Sequence, residues 1–526
     1  MKNLFLKSTR LFFFLSFLAT NVKAIQATDT VFTLHIDLSK TAQTIDNFGA
    51  SGCWFSEGIG KYWPAEKKET IARLLFSKQK DKQGNPEGIG LSAWRFNIGA
   101  GTTEQGDSSG IKDFRKRTEC FLSPAGSYDW NKQAGYQFFL KKAHDYGVET
   151  LIAFSNSPPV QFTRNGLGYK TEKDYTSNLR ADAYDAYAQF LAQVIKHFDG
   201  EGIHFNYISP VNEPQWDWAH AYKDADQEGS PWKNEDIYKV VEKLNQALNK
   251  EQISSNILIS EAGMLSSLYS GTENHSSQIQ HFFDPKSPLS VNKFNHVPAT
   301  IAGHSYFTEN NDKALLTTRS RLADTASKYK VNFWQSEYSM LADGYKEGAK
   351  GKISAIDCAL FLAKVIHTDL TTANATAWQF WNSYEPGNAD FDTRYYLIAL
   401  NPKPDFKDGE FTATKNLWAL GHYSLFIRPG MQRVAINTPD TTTGKHDLLI
   451  SAWKDKNNQL VIVGINHGTR NARIRLALKG DRIKYKTIVT YLTDGEQADN
   501  MKASPGKKFS PDVILPARSI STLVLN

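Results

Sequence analysis

The hydrophobic pattern divides the chain into three regions with different periodicities. Residues 31–38 alternate between apolar and polar positions, and this period of two predicts a half-buried antiparallel strand. From about residue 45 to 426, short apolar runs alternate with stretches of helical spacing. From about 430 onward the helical period disappears and strand-like segments follow one another. The pattern predicts a central α/β region with β structure at both ends.

The central region contains eight apolar runs that we predict to be strands. They are 45–53, 91–98, 149–155, 206–212, 256–261, 300–306, 331–337 and 375–381. Helical spacing of three and four residues lies between them, as in Tyr184, Tyr187, Leu191, Val194 and Phe198. Eight parallel strands joined by right-handed helical crossovers close a barrel. A doubly wound open sheet is the alternative, but no GxGxxG follows the first strand to support it.

The lengths of the connections indicate which end of the barrel carries the site. The connections that leave the strands, at 99–130, 156–180, 214–233 and 382–412, are long, whereas those that return to the strands are short. Barrel enzymes carry their sites on the strand-to-helix side. We therefore expect the functional residues at the carboxyl ends of the strands.

The C-terminal region predicts an antiparallel β-sandwich. Its candidate strands are 447–454, 459–466, 471–479, 484–492 and 519–525. The strand at 31–38 has no partner nearby in sequence, so we place it in the same sandwich. The predicted fold class is α/β, a (β/α)8 TIM barrel with a side β-sandwich domain built from both chain ends. The predicted boundaries are a signal peptide at 1–24, the N-terminal sandwich strand within 25–44, the barrel at 45–428 and the C-terminal sandwich at 429–526.

The N-terminus is typical of an export signal. Three basic residues precede the apolar run Leu11–Ala19, and Val22-Lys23-Ala24 offers small residues at a cleavage site. The run is too short for a transmembrane helix, so we expect no membrane span and a periplasmic or extracellular protein. Removal of residues 1–24 deletes four positive charges and no acids, and the formal charge falls from +6 to +2. Charge therefore gives no indication of a nucleic-acid partner.

Composition and cysteine usage exclude other classes. With 40% hydrophobic and 22% charged residues, the 526-residue chain is globular, which excludes disorder and a coiled coil. Cys53, Cys120 and Cys358 allow at most one disulfide, and no CxxC or Cys/His spacing suggests zinc. We expect buried or unpaired thiols.

Two carboxylates lie at the ends of predicted barrel strands. Glu213 follows the fourth strand in Asn212-Glu213-Pro214, and Glu337 ends the seventh strand. Both are expected at the same mouth of the barrel. Hydrolysis of a glycosidic bond with retention of configuration needs two carboxyl groups about 5–5.5 Å apart. The alternative is that either glutamate is a solvated strand end.

These residues, with several short motifs, resemble a known family. The chain is similar to glycoside hydrolase family 30, in the clan of retaining (β/α)8 glycosidases. The matching segments are 45–51 (IDNFGAS), 95–99 (RFNIG), 155–159 (SNSPP) with 165–166 (NG), 212–214 (NEP), 378–382 (WQFWN) and 426–430 (FIRPG). Each motif is short, but their order along the chain is specific, and the resemblance covers about 31–526.

The resemblance implies a role for each candidate residue. Glu213 would be the general acid/base and Glu337 the nucleophile, in environments that separate their pKa values. Residues implied to bind substrate or support these two are Trp54, Arg95, Asn156, Asn212, His304, Tyr306 and Trp381. Arg95 could stabilise the Glu337 carboxylate or be an interior ion pair. Asn212 could bind the sugar 2-hydroxyl or cap a strand end.

The remaining candidates also keep a second interpretation. Tyr306 could hold the nucleophile and Trp381 could form the floor of the sugar site, or both could be core aromatics. His304 lacks a His or Cys partner at ligand spacing, so we interpret it as a substrate-contacting or hydrogen-bonded histidine and not a metal ligand. The chemistry needs no metal or organic cofactor.

The substrate prediction rests on the first barrel strand and on loop aromatics. The exo-acting glucocerebrosidase branch carries Thr-Asp where this chain has Cys53-Trp54, which disfavours exo-glucosidase activity. Long loops add Phe162, Tyr169, Trp216, Trp218, Tyr222, Trp232 and Tyr384, as expected of a polymer cleft. The stretch 153–159 (AFSNSPP) looks most like the family's endo-β-1,6-galactanase group, so the resemblance favours such an enzyme, acting as a monomer on a polysaccharide or oligosaccharide. An endo-β-1,6-glucanase, a xylanase and a catalytically inactive carbohydrate-binding barrel are the alternatives.

Overall fold

The computed structural model describes residues 31–437, 447–480 and 484–526, so the predicted signal peptide lies outside the described residues. The strands described are β1 (Val31–Thr44), β2 (Asn47–Ser51), β3 (Ala93–Asn97), β4 (Thr150–Phe154), β5 (Tyr207–Ser209), β6 (Asn256–Ile257), β7 (Ile259–Ala262), β8 (Thr300–His304), β9 (Asn332–Glu337), β10 (Ala377–Phe380), β11 (Tyr384–Pro386), β12 (Ile398–Pro402), β13 (Gly409–Ala413), β14 (Gln432–Asn437), β15 (Leu448–Lys454), β16 (Leu460–Asn466), β17 (Ala472–Lys479), β18 (Thr487–Thr493), β19 (Lys502–Ala503), β20 (Lys507–Lys508), β21 (Asp512–Leu515) and β22 (Ser519–Leu525). The α-helices described are α1 (Ser56–Tyr62), α2 (Ala65–Phe76), α3 (Thr102–Gln105), α4 (Ala134–Asp145), α5 (Tyr184–Gly200), α6 (Asn234–Glu251), α7 (Ser266–Tyr269), α8 (Gln278–Phe283), α9 (Asp312–Tyr329), α10 (Ala355–Thr371) and α11 (Lys415–Ser424).

The central sheet is a parallel barrel. Its strands are hydrogen-bonded in the order β6, β5, β4, β3, β2, β10, β9, β8 and β7. β6 and β7 are two pieces of one barrel strand, separated by Leu258, whose amide donates to the Ile208 carbonyl. β6 and β7 lie at opposite ends of this strand order but are consecutive in the chain. The sheet therefore closes on itself, with β6 and β7 counted together as one of eight strands. The predicted TIM barrel is confirmed, and each predicted strand segment contains a barrel strand.

The helices surround the barrel because each carries an apolar face. In α5 the residues at three- and four-residue spacing are buried as the periodicity predicts. Inside the barrel, small side chains and one large ring form a separate cluster, which comprises Ala93, Ile152, Leu258, Ala302, Trp334 and Ala377. These side chains fill the interior, so a substrate can reach only the end of the barrel.

The second sheet combines both ends of the described chain. It runs β19, β18, β22, β16, β15, β14, β1, β17, β21, with β20 beside β18. The predicted β-sandwich domain built from both chain ends is confirmed. Its strands form one hydrogen-bonded sheet, and residues from its two ends, such as Leu476 and Leu523, share one buried core.

Two details of this domain correct the sequence predictions. The predicted strand 31–38 extends to Thr44, and it is not purely antiparallel, because β1 pairs antiparallel with β14 and parallel with β17. The strands β14 and β21 were not predicted. Both are short segments with few buried residues, and so their alternation is weak in the sequence.

The predicted loop 382–412 also needs correction. It contains β11 and β12 and begins β13, and these three strands form a small sheet of their own. β11 pairs parallel with β12, and β12 pairs antiparallel with β13. This small sheet supports the segment that follows barrel strand β10, and so it shapes one side of the barrel mouth.

The barrel and the second sheet are in direct contact through α10 and α11. His422 of α11 is fully buried there, and its ring nitrogens lie 2.8 Å from Thr522 Oγ1 and 2.9 Å from Thr493 Oγ1. The three cysteines are buried and unbonded, as expected. Within the described ranges, no helix combines the length and the apolar character needed to cross a bilayer.

Candidate active site

The two candidate carboxylates meet at the carboxyl end of the barrel. Glu337 is the last residue of β9, and Glu213 lies in the turn that follows β5, because that strand ends at Ser209 and not at residue 212. One oxygen of Glu213 and one of Glu337 lie within 4.8 Å of each other. This close approach is compatible with the two-carboxylate geometry of retaining glycosidases.

Each oxygen of Glu337 accepts a hydrogen bond. Arg95 Nη1 of β3 donates to Oε2 at 2.7 Å, and the Tyr306 hydroxyl donates to Oε1 at 2.9 Å. Burial and the neighbouring Glu337 carboxylate raise the pKa of Tyr306 well above its usual value, so the phenol keeps its proton and remains a donor. The carboxylate is therefore held in one orientation by two donors.

A third buried glutamate lies beneath this pair. Glu261 of β7 is 3.4 Å from Arg95 Nη2, and it accepts hydrogen bonds from His304 and Ser336. Burial alone would raise the pKa of Glu261, but Arg95 and His304 outweigh burial and lower it to about 2. Glu261 is thus an ionised carboxylate that shares Arg95 with Glu337.

His304 connects all three carboxylates. Its Nδ1 lies 2.9 Å from Glu213 Oε1 and 3.5 Å from Glu337 Oε1, and its Nε2 lies 3.3 Å from Glu261 Oε2. Burial lowers the pKa of this imidazole, but the three acids reverse the effect and raise it to about 10. His304 is therefore a cation at neutral pH that donates to Glu213 and Glu261.

Glu213 has the environment of a weakened carboxylic acid. The residue is 8% exposed, and this burial, opposed by the hydrogen bond from His304, raises the pKa of its carboxyl group. Its backbone φ is 45°, a left-handed conformation uncommon outside glycine. The Glu213 amide donates to the Glu261 carbonyl at 2.8 Å, and Trp218 Nε1 donates to the Glu213 carbonyl at 3.1 Å. These bonds hold the residue in this conformation.

A chain of asparagines continues from Glu213 along the mouth. Asn212 Nδ2 donates to Asn156 Oδ1 at 3.0 Å, and Asn156 Nδ2 donates to Asn97 Oδ1 at 3.2 Å. Asn156 and Asn212 both line the cavity above the carboxylates. The amide chain fixes which face of each side chain is presented to that cavity.

Aromatic rings form the walls of this cavity, whose volume is about 420 Å³. On one side Trp54 meets Trp381 edge to face, with ring centroids 5.1 Å apart. On the other side Trp216 lies 6.5 Å from Phe307, again edge to face. Both pairs line the cavity together with Tyr306 and Trp218. Apolar walls over a hydrogen-bonding floor are typical of sugar sites, because a sugar ring has apolar faces and a polar rim.

Two charged residues that sequence reasoning did not single out also line the cavity. Lys116 Nζ lies 4.8 Å from the Trp54 ring centroid, and Glu385 accepts a hydrogen bond from Asn382 at 3.2 Å. Burial raises the pKa of Glu385 to about 7. Lys116 lies in the predicted loop 99–130 and Glu385 in the predicted loop 382–412, where it belongs to the short strand β11. Neither segment has a periodicity that would indicate the position of these residues.

The structure brings together all nine candidates, but not all of them face the cavity. Glu213, Glu337, Trp54, Asn156, Asn212, Tyr306 and Trp381 line it. Arg95 and His304 are almost completely buried beneath the carboxylates and do not line it, which corrects their grouping with the substrate-binding residues. Arg95 contacts the Glu337 carboxylate, and His304 is the hydrogen-bonded histidine of its second interpretation. Their contacts are with Glu213, Glu261 and Glu337.

The aromatic-loop prediction is correct only in part. Of the seven loop aromatics, Trp216 and Trp218 line the cavity, whereas Tyr169, Trp232 and Tyr384 are core residues. The glutamate that sequence reasoning missed, Glu261, did carry a signal. It ends a predicted barrel strand just as Glu337 does.

The geometry also allows a test for a metal site. Among the described residues, Glu213, His304 and Glu337 form the one cluster of three potential ligands whose donor atoms lie within 4.8 Å of one another. His304 already donates to Glu213, and the Arg95 guanidinium already pairs with Glu337. A divalent cation would have to displace these charged donors, so we interpret the cluster as a hydrogen-bonded network.

Comparison with known proteins agrees with this geometry. The family model for O-Glycosyl hydrolase family 30 matches residues 31–395. The chain belongs to this family. The predicted resemblance is confirmed, and the protein is an O-glycosyl hydrolase.

Three relatives show how this member of family 30 compares with others. Glucuronoxylanase XynC of Bacillus subtilis (strain 168) is 22% identical over 367 residues, 69% of this chain and 70% of that protein. The crystal structure of a conserved exported protein from Bacteroides fragilis is 36% identical, with a TM-score of 0.85 over 94% of this chain and 100% of that one. An endo-beta1,6-glucanase structure is 16% identical, with a TM-score of 0.64 over 94% of this chain and 93% of that one. The last likeness shows the fold alone.

Proposed function

We propose that this family 30 enzyme is a retaining endo-glycosidase that hydrolyses a β-linked polysaccharide. The observation that carries the proposal is the approach of Glu213 and Glu337 within 4.8 Å, one carboxyl group buried with a raised pKa and the other held by two donors. Of two carboxyl groups this close together, one can attack the anomeric carbon while the other protonates the glycosidic oxygen.

The reaction proceeds in two displacements. Glu337 attacks the anomeric carbon while Glu213 gives its proton to the glycosidic oxygen, so the leaving sugar departs as an alcohol and a glycosyl ester forms on Glu337. Glu213, now ionised, removes a proton from water. The resulting oxygen nucleophile displaces Glu337 from the anomeric carbon, and both carboxyl groups return to their starting states.

The surrounding residues support both steps. Arg95 and Tyr306 orient the attacking carboxylate and stabilise it when it leaves. Asn212, held by Asn156, is positioned to bind the sugar hydroxyl next to the anomeric carbon, a hydrogen bond that strengthens in the transition state. His304 stabilises the ionised form of Glu213 between the two displacements.

For the substrate we propose β-1,6-galactan. Cys53-Trp54 stand where the exo-acting branch of the family carries Thr-Asp, so an indole replaces a carboxylate at the wall of the sugar site. The edge-to-face pair of Trp54 and Trp381 offers an apolar surface, which suits the apolar face of a galactose ring. The open cavity mouth, with Trp216 and Trp218 on the opposite wall, favours a chain that extends beyond one sugar.

An endo-β-1,6-glucanase or a xylanase is the second candidate. It is favoured by the relatives, which include a glucuronoxylanase and an endo-beta1,6-glucanase. A catalytically inactive carbohydrate-binding barrel is a third possibility, but it would not need to retain both carboxyl groups with their supporting donors.

The experiment is hydrolysis of β-1,6-galactan, β-1,6-glucan and glucuronoxylan by the purified protein in parallel. We expect short oligosaccharides from galactan, with the first-formed product in the β configuration by proton NMR. Release from glucan or xylan alone would replace the substrate proposal and keep the mechanism. Binding of a polysaccharide without hydrolysis of any would establish the carbohydrate-binding alternative.

Two variants separate the roles of the carboxyl groups. Glu337→Gln should lower kcat by about 10⁴-fold or more on every substrate, because the nucleophile is lost. Glu213→Gln should be most damaging for the polysaccharide and much less so for an aryl glycoside, whose leaving group departs without protonation. The matched control is Glu235→Gln at the exposed start of α6, which should match the wild type. Unchanged rates for Glu337→Gln would remove it from the mechanism.

We also propose that the protein is exported, with cleavage after residue 24. The support is the signal-like N-terminus together with the likeness to a conserved exported protein of Bacteroides fragilis. N-terminal sequencing of protein recovered from the periplasm or medium should begin at Ile25. A mature protein that begins at Met1 would contradict export by this route.

A further inference from the structure

A second cavity adjoins the candidate active site. Its volume is about 930 Å³, and it is lined by residues from three loops, among them Tyr175, Gln215, Trp216, Lys233, Met264 and His275. Trp216 lines both this cavity and the cavity above the carboxylates. The two spaces therefore share Trp216 as a lining residue. We call the larger space the outer groove.

Hydrogen bonds connect the residues that line the outer groove to the loop that carries Glu213. Gln215, two residues beyond Glu213, donates from Nε2 to the His275 carbonyl at 2.9 Å. Its Oε1 accepts from the Gly263 amide at 2.8 Å. The Trp216 amide donates to the Glu213 carbonyl at 3.2 Å. The walls of the groove are thus fixed relative to the carboxyl group that is proposed to protonate the leaving oxygen.

An aromatic platform forms part of the groove. Tyr175 is 41% exposed although it is a large ring, and it stacks on His275 with ring centroids 5.5 Å apart and an interplanar angle of 25°. The rest of the lining is mostly polar, with serines at 266, 267, 270 and 276. An exposed ring face surrounded by hydrogen-bonding groups matches a sugar ring, which has an apolar face and a polar rim.

We propose that the outer groove binds the leaving-group end of the polysaccharide, with a sugar ring of that end stacked on Tyr175. The inference rests on the proposed function. A general acid must touch the glycosidic oxygen, so the leaving sugars lie on the side of Glu213. The groove that starts at the Glu213 loop and continues past Trp216 is the space on that side. Its ligand is an uncharged β-linked oligosaccharide segment.

A first test uses the wild-type enzyme alone. All oligosaccharides in the series carry the same sugars on the side of the cleaved bond that becomes attached to Glu337. They carry one, two, three or four sugars on the other side, which leaves with the glycosidic oxygen. We expect kcat/KM to rise with each added leaving-side sugar until the groove is filled. Equal kcat/KM values across the series would overturn the inference, while hydrolysis of every member would leave the proposed function intact.

A second test uses variants at the platform. Tyr175→Ala should lower kcat/KM for the longest oligosaccharide about five- to tenfold, as expected for the loss of one aromatic stacking surface. The same variant should stay within about twofold of the wild type on an aryl glycoside, whose leaving group ends before the groove. Tyr175→Phe keeps the ring and should retain the long-substrate rate.

The control is Tyr62→Ala, which removes an equally exposed tyrosine, 49% exposed, that lines neither cavity. It should leave both substrates unaffected. An equal loss on both substrates in Tyr175→Ala, or no loss on the long one, would overturn the platform assignment. If the wild type hydrolyses none of these substrates, the proposed function fails first and the groove assignment fails with it.

Discussion

Two histidines in this protein are equally buried and have opposite affinities for a proton. His304, in the active site, and His422, between the barrel and the second sheet, are both 0% exposed. The pKa of His304 is raised to about 10, whereas burial lowers the pKa of His422 to about 3. Burial opposes the charged form in both cases, so the difference must come from the neighbours.

The neighbours of the two rings differ in charge. His304 faces Glu213, Glu261 and Glu337, and Arg95 is on the far side of the acids. His422 faces two threonine hydroxyls. Thr522 donates its hydroxyl proton to the His422 carbonyl, so it accepts from Nδ1–H, and Thr493 is left to donate to Nε2.

The comparison shows how the neighbours of a buried histidine decide whether its ring is charged. At the contact between the two domains, a neutral ring satisfies both nitrogens with hydroxyls and adds no charge to a dry region. In the active site, the His304 cation helps to keep Glu261 ionised, whereas Glu213 is the carboxyl group with a raised pKa. Of the two buried histidines, the one that carries a charge is the one beside the carboxyl group that moves a proton in the proposed reaction.

Of the histidine substitutions, the one that removes the charge on His304 should have the largest effect. His304→Gln keeps a hydrogen-bond donor but loses the cation, so kcat should fall by about 10²-fold, the range of acid–base contributions. The pKa of Glu213 should rise further, because its anion loses a stabilising charge, and the alkaline limb of the kcat/KM profile should shift to higher pH. Rates measured from pH 4 to 10 test this.

The matched control is His422→Gln, which alters an equally buried histidine outside the site. It should leave the shape of the pH–rate profile unchanged. If both variants shift the profile alike, or neither does, the contrast between the two histidines has no bearing on catalysis.

A smaller effect is expected on the pH dependence of stability. The folded-state pKa of His422 is about 3 and its ordinary value is 6.5, so the unfolded chain binds the additional proton between these values. The part of the unfolding free energy that depends on neutral His422 is fully present above pH 6.5. It is lost as the pH falls, at up to about 1.4 kcal/mol per pH unit. His422→Gln should flatten this part of the stability curve, measured by denaturant unfolding between pH 4 and 7.

The sign is opposite for a group with a raised pKa. His304 contributes stability that is complete below pH 6.5 and decreases as the pH rises towards 10.

His144→Gln, at a half-exposed surface site, serves as the control for the effect of His422→Gln on stability at acid pH. An unchanged slope in His422→Gln would show that His422 is not the group that titrates.

The smallest effect is expected at a histidine on the surface. His204 Nδ1 lies 2.8 Å from Asp199 Oδ1, a separation like that of His304 from Glu213, but both groups are solvated. His204→Gln should change the free energy of unfolding by less than about 1 kcal/mol and leave activity unchanged. A loss of unfolding free energy well above about 1 kcal/mol would show that contact distance matters more than burial here.

The barrel was predictable because each of its strands can be recognised from a few consecutive residues of the sequence. A parallel strand covered on both faces appears as a short apolar run, and all eight runs contain a barrel strand. The small sheet of β11, β12 and β13 was missed because its strands are short and half exposed. In β13, for example, exposed and half-buried residues outnumber buried ones.

The site was predictable where chemistry coincides with a strand end. Glu213 and Glu337 were found by position and by motif, and Tyr306 lies at the predicted contact with Glu337. Glu261 ends a predicted strand as well and lies one residue before the end of β7, but no motif marked it. Tyr175 and His275 are separated by 100 positions in two irregular loops, and no local pattern indicates that their rings stack.

The sequence by itself determined the periodicities, the order of strands and helices, and the two carboxylates that a glycosidase needs, because these depend on neighbours along the chain. Only the tertiary structure decided that His304 is a cation and His422 is neutral. A pKa depends on charges and solvent within a few ångströms. For His304 those charges come from Glu213, Glu261 and Glu337, which belong to separate barrel strands or the turns that follow them and meet only when the barrel closes.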